Sequence, residues 1–350
     1  MKTRKKITSA LTLLFVPALL LAACGQSGTP ASSTGETQFR YGKIQIPGKD
    51  GALCGAPIYI AYDQGFFAEE GFDVELISAD AETRKIGLNN GTIPIVNGDF
   101  QFFPSIDEGV NVSVVDGLHN GCIKFLVKKG SPIQTAADLE GKKIAVDEIG
   151  GTPHQVASVW VEKAGISAKP EDRQVEFVVY SDGNLEIEAL KNDDVDVAAL
   201  WDPLGSVYTT GEHADEYEVL FDLSTDPTFA GKYCCFLYAS NKLLEESPEK
   251  ISALLRAYRK AQEWIAENPK EAVDIISDKK YSAIEDKALA EELVKSYAYP
   301  SAHDHANNTQ DVGADVLYFA TELYNIGYLK TDPAEFAQKA YYEVDLNLGK

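Results

Sequence analysis

Across 350 residues the chain has one methionine, three tryptophans, five histidines and five cysteines, and its 32 basic residues are outnumbered by 54 acidic ones. Each shortage excludes something. The deficit of positive charge leaves a formal net charge of −22, a field that repels nucleic acid and anionic lipid headgroups, so no nucleic-acid partner is expected. Catalytic signatures are missing as well. There is no Gly-x-Ser-x-Gly elbow, no His-Glu-x-x-His helix and no GxxxxGK[ST] phosphate loop, and no nucleophile stands at a readable spacing from a base, so neither a hydrolase nor a nucleotide-binding enzyme is expected. Long apolar runs are scarce too. After residues 7–23 none is long enough to span a bilayer.

That one apolar run follows Lys2, Arg4, Lys5 and Lys6 and ends in Leu21-Ala22-Ala23-Cys24-Gly25, the pattern of an export signal over residues 1–23. Small residues before a cysteine resemble the bacterial lipobox, which implies lipidation of Cys24. Residues 24–39 are small, polar and poor in aromatics, so they cannot bury enough surface to order themselves and read as a flexible tether. The remaining chain is longer than one core usually accommodates, and two domains are expected.

The organising stretch follows a first alternating strand, Tyr41 to Ile46. Cys54-Gly55-Ala56-Pro57-Ile58-Tyr59-Ile60-Ala61-Tyr62-Asp63-Gln64-Gly65-Phe66-Phe67 reads as a turn and a short helix with Pro57 at its first position, and Phe72-Asp73-Val74-Glu75-Leu76 as the next strand. A second turn of the same kind, Gly150-Gly151-Thr152-Pro153-His154-Gln155, opens a later helix, with Thr152 suited to the N-cap. Two helix N-termini facing one another across a cleft can hold an anionic or strongly dipolar ligand. Neither turn carries a basic residue, and Arg84 is the nearest candidate cation.

The run from Ala56 to Leu76, with Asp138-Leu139-Glu140-Gly141-Lys142-Lys143-Ile144-Ala145-Val146 and Trp201-Asp202-Pro203, resembles the solute-binding proteins of nitrate, taurine, alkanesulfonate and thiamine-pyrimidine ABC importers. The resemblance covers most of the chain from about residue 41 to 272. It implies an α/β two-lobe periplasmic-binding-protein fold, type II-like, hinged by two crossover strands near 122–128 and 232–239. Lobe 1 would comprise residues 40–122 and 236–350, and lobe 2 residues 123–235. It also implies a lipid-anchored, extracytoplasmic monomer that captures a small organic solute, either sulfonate-, nitrate- or taurine-like or pyrimidine-type, and delivers it to a membrane permease. Candidate ligand contacts are Cys54, Gly55 and Ala56 in the first turn, His119 at a strand end, Gly151, Thr152, His154 and Gln155 in the second turn, and Trp201 and Asp202 on a far strand. No cofactor is required. Late helices over 248–268, 269–276 and 288–298 would cover lobe 1, with Ile251, Leu254, Leu255, Tyr258, Ala261 and Trp264 as core, and helical patterns over 312–326 and 332–342 close the chain.

The cysteines leave three readings open. Cys54, Cys122, Cys234 and Cys235 in an exported chain can form a disulfide, stay as buried thiols, or join His119 and His154 as soft metal ligands. Neighbours on a strand point to opposite faces, so only one of Cys234 and Cys235 is expected to reach any given partner. Tyr233-Cys234-Cys235-Phe236 resembles a shortened form of the cysteine-rich strand of the pyrimidine-synthase branch, which keeps a thiol-dependent metalloenzyme open as an alternative, beside a ligand-sensing subunit for a membrane receptor. His303-Asp304-His305 reads as a solvated loop.

Overall fold

The computed structural model describes residues 39–49, 51–299 and 311–350; the segment expected to be an export signal, all but the last residue of the expected tether, and His303 to His305 lie outside the described residues. Among the described residues ten strands carry the fold: β1 Gly42–Pro47, β2 Phe72–Ile77, β3 Ile95–Asp99, β4 Val112–Asn120, β5 Ile123–Lys128, β6 Lys142–Val146, β7 Val175–Val179, β8 Val197–Trp201, β9 Tyr217–Asp222 and β10 Tyr233–Ser240. Between and after them lie the helices α1 Ala56–Asp63, α2 Phe66–Glu69, α3 Ala81–Asn90, α4 Phe103–Asp107, α5 Thr152–Lys163, α6 Gly183–Lys191, α7 Leu204–Val207, α8 Asn241–Glu246, α9 Pro248–Glu267, α10 Pro269–Asp278, α11 Lys287–Ser296, α12 Val312–Asn325 and α13 Pro333–Ala340.

The strands sort into two lobes. In the first, β1 and β2 pair in parallel, and β10 lies antiparallel between β3 and β4. The second is a five-stranded sheet in the order β7-β6-β8-β5-β9, parallel across β7, β6 and β8 and antiparallel where β5 and β9 join. All eight residues of β10 are buried, as a strand flanked on both edges and covered on both faces must be. Helix α9 covers the first lobe through Ile251, Leu254, Leu255, Tyr258 and Ala261, while Trp264 is only half-buried at the edge of the stripe. Arg259 fastens that helix to β4, its Nε and Nη2 donating to both oxygens of the buried Asp116 at 2.6 and 2.7 Å.

The crossings lie elsewhere than expected. Cys122 to Lys128 was expected to bridge the lobes, yet β5 pairs throughout with β8 and β9, and the change of sheet occurs at Gly121 and Cys122. Likewise the boundary at 235/236 would cut β10 in two, whereas the whole strand pairs with β3 and β4 and the return crossing is residues 223–232. Apolar alternation marks a strand but does not say which sheet it joins. The two crossings touch. Gly121 has φ +45°, and a Cβ there would lie 2.5 Å from Ser224 Cβ and 2.8 Å from its backbone, so only glycine admits this approach. No described helix is long and apolar enough to cross a membrane.

Candidate functional site

A cavity of about 310 Å³ opens between the lobes. From the first lobe its wall takes Ala52, Cys54, Gly55, Arg84, Asn97, Gly98, Asp99, Leu118, His119 and Cys235, and from the second Trp201 and Asp202. Five sequence candidates therefore meet: Cys54, Gly55, His119, Trp201 and Asp202. Ala56 is fully buried in the first turn of α1, with Gly55 as N-cap. At the carboxyl end of β8, Trp201 is held by its Nε1, which donates to Asp147 Oδ2 at 2.8 Å. Asp202 is already engaged. It accepts from Lys124 Nζ at 2.8 Å and from Ser206 Oγ at 2.7 Å, so its charge is neutralised before any ligand arrives.

The second turn behaves differently from expectation. Thr152 is not the N-cap; Gly151 holds that position, and Thr152 is the first helical residue. Its hydroxyl is drawn away from the helix and donates to Asp99 Oδ1 at 2.5 Å, a buried bond from one lobe to the other. Gly151, His154 and Gln155 are absent from the cavity wall. His154 Nδ1 accepts from Gly150 N–H at 3.1 Å and pairs with Tyr328 OH at 2.8 Å, and its ring lines a separate cavity of about 650 Å³ with Phe177. Burial pushes its pKa down to about 4, so it stays neutral. Gln155 is buried, with no hydrogen-bond partner for its amide. Helical periodicity explains His154, which lies two positions beyond Thr152 and so turns to another face of α5, whereas Gln155, three positions on, stays near the Thr152 face and is buried short of the wall.

Sequence reasoning missed Asn97, Asp99, Leu118 and Cys235 as wall residues. Asp99 ends β3 at the same level as Cys235 on β10, a cross-strand register that no local motif encodes. Burial raises its carboxyl to about 6, against the hydrogen bonds from Thr152 and Gln101 that pull it down. Arg84 is spent on backbone, its Nε donating to Ala79 O at 3.0 Å and Nη1 to Asn97 O at 3.4 Å.

Behind the His119 and Cys235 wall lies a cluster of thiols; the four cysteines among the described residues are free. Cys122 Sγ stands 4.0 Å from Cys234 Sγ and 3.8 Å from Cys235 Sγ, and the last two are 3.8 Å apart. Both members of the pair thus reach one partner, contrary to the alternation rule. The cause is a register shift between β10 and β4 on each side of Cys235, a bulge that turns neighbouring side chains toward one face. Burial raises Cys234, but hydrogen bonds from Cys122 and Cys235 outweigh it and hold that thiol below its ordinary range. Cys54 packs beside Cys122 and His119, whose imidazole also meets Tyr297 at a tilt and Tyr299 edge-on.

Two lobes joined by a pair of touching crossings, with a cavity at the carboxyl ends of strands, define the periplasmic-binding-protein class. The alkanesulfonate-binding protein SsuA of Xanthomonas axonopodis pv. citri, solved with MOPS, has this fold, with a TM-score of 0.66 at 15% identity over 86% of this chain and 98% of its own. The desulfurization enzyme DSZB also has it, at a TM-score of 0.58 and 16% identity over 87% of this chain and 97% of its own. Residues 55–272 match the family described as NMT1/THI5 like, and the chain belongs to that family. A Brucella abortus (strain 2308) protein described as a binding protein is 27% identical over 216 residues, 60% of this chain and 63% of its own length. The formylaminopyrimidine-binding protein of Halalkalibacterium halodurans is 25% identical over 238 residues, 63% of this chain and 64% of its own. The match spans less than two thirds of either relative.

Proposed function

We propose that this chain is the extracytoplasmic solute-binding component of an ABC importer, and that its solute is a small planar heterocycle, neutral or cationic, of the pyrimidine type. The observation that carries this reading is the wall of the inter-lobe cavity. It combines an indole and an imidazole with two carboxyl groups, Asp99 and Asp202, and its guanidinium is already committed to backbone carbonyls. A sulfonate or nitrate would meet the Asp99 carboxyl there, with Arg84 committed to backbone and Lys124 already paired with Asp202. A heterocycle can stack on Trp201 and donate its N–H groups to Asp99.

The same reading makes the chain a monomeric lipoprotein, exported by residues 1–23, tethered at Cys24 to the outer face of a membrane, and docking on a permease. It binds without turning over its solute: the relatives it matches are described as binding proteins, although the fold also serves a desulfurization enzyme.

Titration calorimetry of the full chain with an aminopyrimidine and, separately, with taurine tests the solute class. Saturable heat from the pyrimidine and none from taurine is the expected result, with Trp201→Ala costing about 1–2 kcal/mol, roughly tenfold in Kd. Saturable taurine binding without a pyrimidine response overturns it. Cys24→Ala should release the protein from the membrane fraction; retention in that variant would refute the anchor.

A further inference from the structure

The three thiols behind the cavity form a nearly equilateral triangle, with edges of 3.8, 3.8 and 4.0 Å. His119 Nδ1 lies 4.0 Å from Cys234 Sγ, and the ligand atoms of His119, Cys122, Cys234 and Cys235 all fall within 4.8 Å of one another. All four side chains are buried. We propose that these four residues bind a zinc ion, and that the ion fastens together the two crossings between the lobes.

Geometry comes first. Zinc–sulfur bonds of about 2.3 Å in a tetrahedron put neighbouring sulfurs about 3.8 Å apart, which is the spacing found, so the three sulfurs already make one face. The fourth vertex needs the His119 ring to turn toward the sulfurs, because a nitrogen ligand sits nearer to sulfur than the 4.0 Å its Nδ1 keeps from Cys234 Sγ and the limit of 4.8 Å that holds across the four ligand atoms. That turn gives up a 3.2 Å contact between Nδ1 and Asn120 O, while Nε2 holds no hydrogen bond of ordinary geometry to oppose it. A disulfide fits less well. Each thiol has two others at nearly equal range, so any one bridge would leave a third buried sulfur unused, whereas a metal engages all three.

Charge favours a divalent over a monovalent ion, and the sulfur-rich tetrahedral donor set suits zinc among divalent ions. Three thiolates and a neutral imidazole around a divalent cation leave one net negative charge, and around a monovalent cation they leave two. In a buried pocket near the Asp99 carboxyl, the smaller residual charge is the less costly to desolvate. Binding releases the thiol protons to solvent, with no change of oxidation state.

Placement gives the site its consequence. Cys122 is in the two-residue link between β4 and β5, and Cys234 and Cys235 are among the first residues of β10 after the return crossing. Zinc would pin both polypeptide connections at the base of the cleft, where His119 and Cys235 also form part of the cavity wall.

The test uses the full chain, purified with reductant and without chelator, and zinc chloride and cobalt chloride as probes. Elemental analysis should find about one zinc per chain, and removal by a chelator should lower Tm by several degrees, restored on adding zinc. Cobalt added to the stripped protein should give the intense thiolate-to-metal absorption of a tetrahedral sulfur site. Cys122→Ser and Cys234→Ser, neither of which lines the cavity, should each weaken zinc at least about tenfold. Because either variant can fold poorly, the cobalt spectrum of the unsubstituted chain decides. A reduced, folded chain that takes up less than about a tenth of an equivalent of zinc and shows no cobalt–thiolate band overturns the proposal.

Discussion

Glu186 shows what a single carboxyl can cost. It sits buried on α6 with Oε2 lacking a hydrogen-bond partner, and burial, followed by the charges of Asp147 and Asp182, raises its pKa to about 9. The folded state therefore holds a proton that the unfolded state releases near pH 4.5. Stability from this group is full below that pH and is lost as pH rises toward 9. Glu186→Gln, neutral at every pH, should melt at nearly the parent temperature at pH 4.5 and pull ahead by about 1–3 kcal/mol at pH 9. A difference that stays flat across that range in thermal melts would show that the carboxyl is solvated. The position matters for the site because Asp147, one source of the repulsion, also holds the indole of Trp201.

At the scale of elements, α5 is what the second lobe presents to the first. Its opening residue reaches across to Asp99, and Lys163 near its end pairs with Glu322 of α12 at 2.8 Å. Thr152→Val keeps the shape and deletes the donor. It should cost about 1–3 kcal/mol in urea unfolding, while Thr152→Ser costs less than half of that; equal stability of the two variants would mean the inter-lobe bond contributes nothing. This element also shows how far the sequence could be read. The helix was legible because Gly151 and Pro153 punctuate its start, and α9, α10 and α11 were legible from their apolar spacing. Cys54, His119, Trp201 and Asp202 could be named because each stands at the end of a readable strand or turn. Asp99 and Cys235 could not, since cross-strand register brings them to the wall, and the bulge that gathers Cys234 with Cys235 leaves no mark in a local pattern. The same limit misassigned His154: the turn was placed correctly, but which face of α5 each residue occupies depends on what packs against it.

Over the whole molecule the dominant fact is a formal charge of −22, and two opposing effects of salt reveal how the fold carries it. Surface pairs such as Lys43 with Glu75 and Lys287 with Asp274 and Asp278 are exposed, so each contributes little and salt weakens it further. Repulsion among the excess carboxylates acts in the other direction and over longer range. Raising sodium chloride from about 20 to about 500 mM shortens the screening length from about 20 to about 4 Å, which cancels long-range repulsion while leaving contact pairs partly intact. Tm should therefore rise by several degrees over that interval, because the repulsive sum is larger than the few exposed pairs lost. A fall in Tm would show that ion pairs outweigh net repulsion. The same field bears on the solute, because a surface this acidic slows the approach of sulfonates and speeds that of cations. Association of a cationic pyrimidine should accordingly slow as salt is added, and a rate that increases with salt would argue for an anion in the cleft.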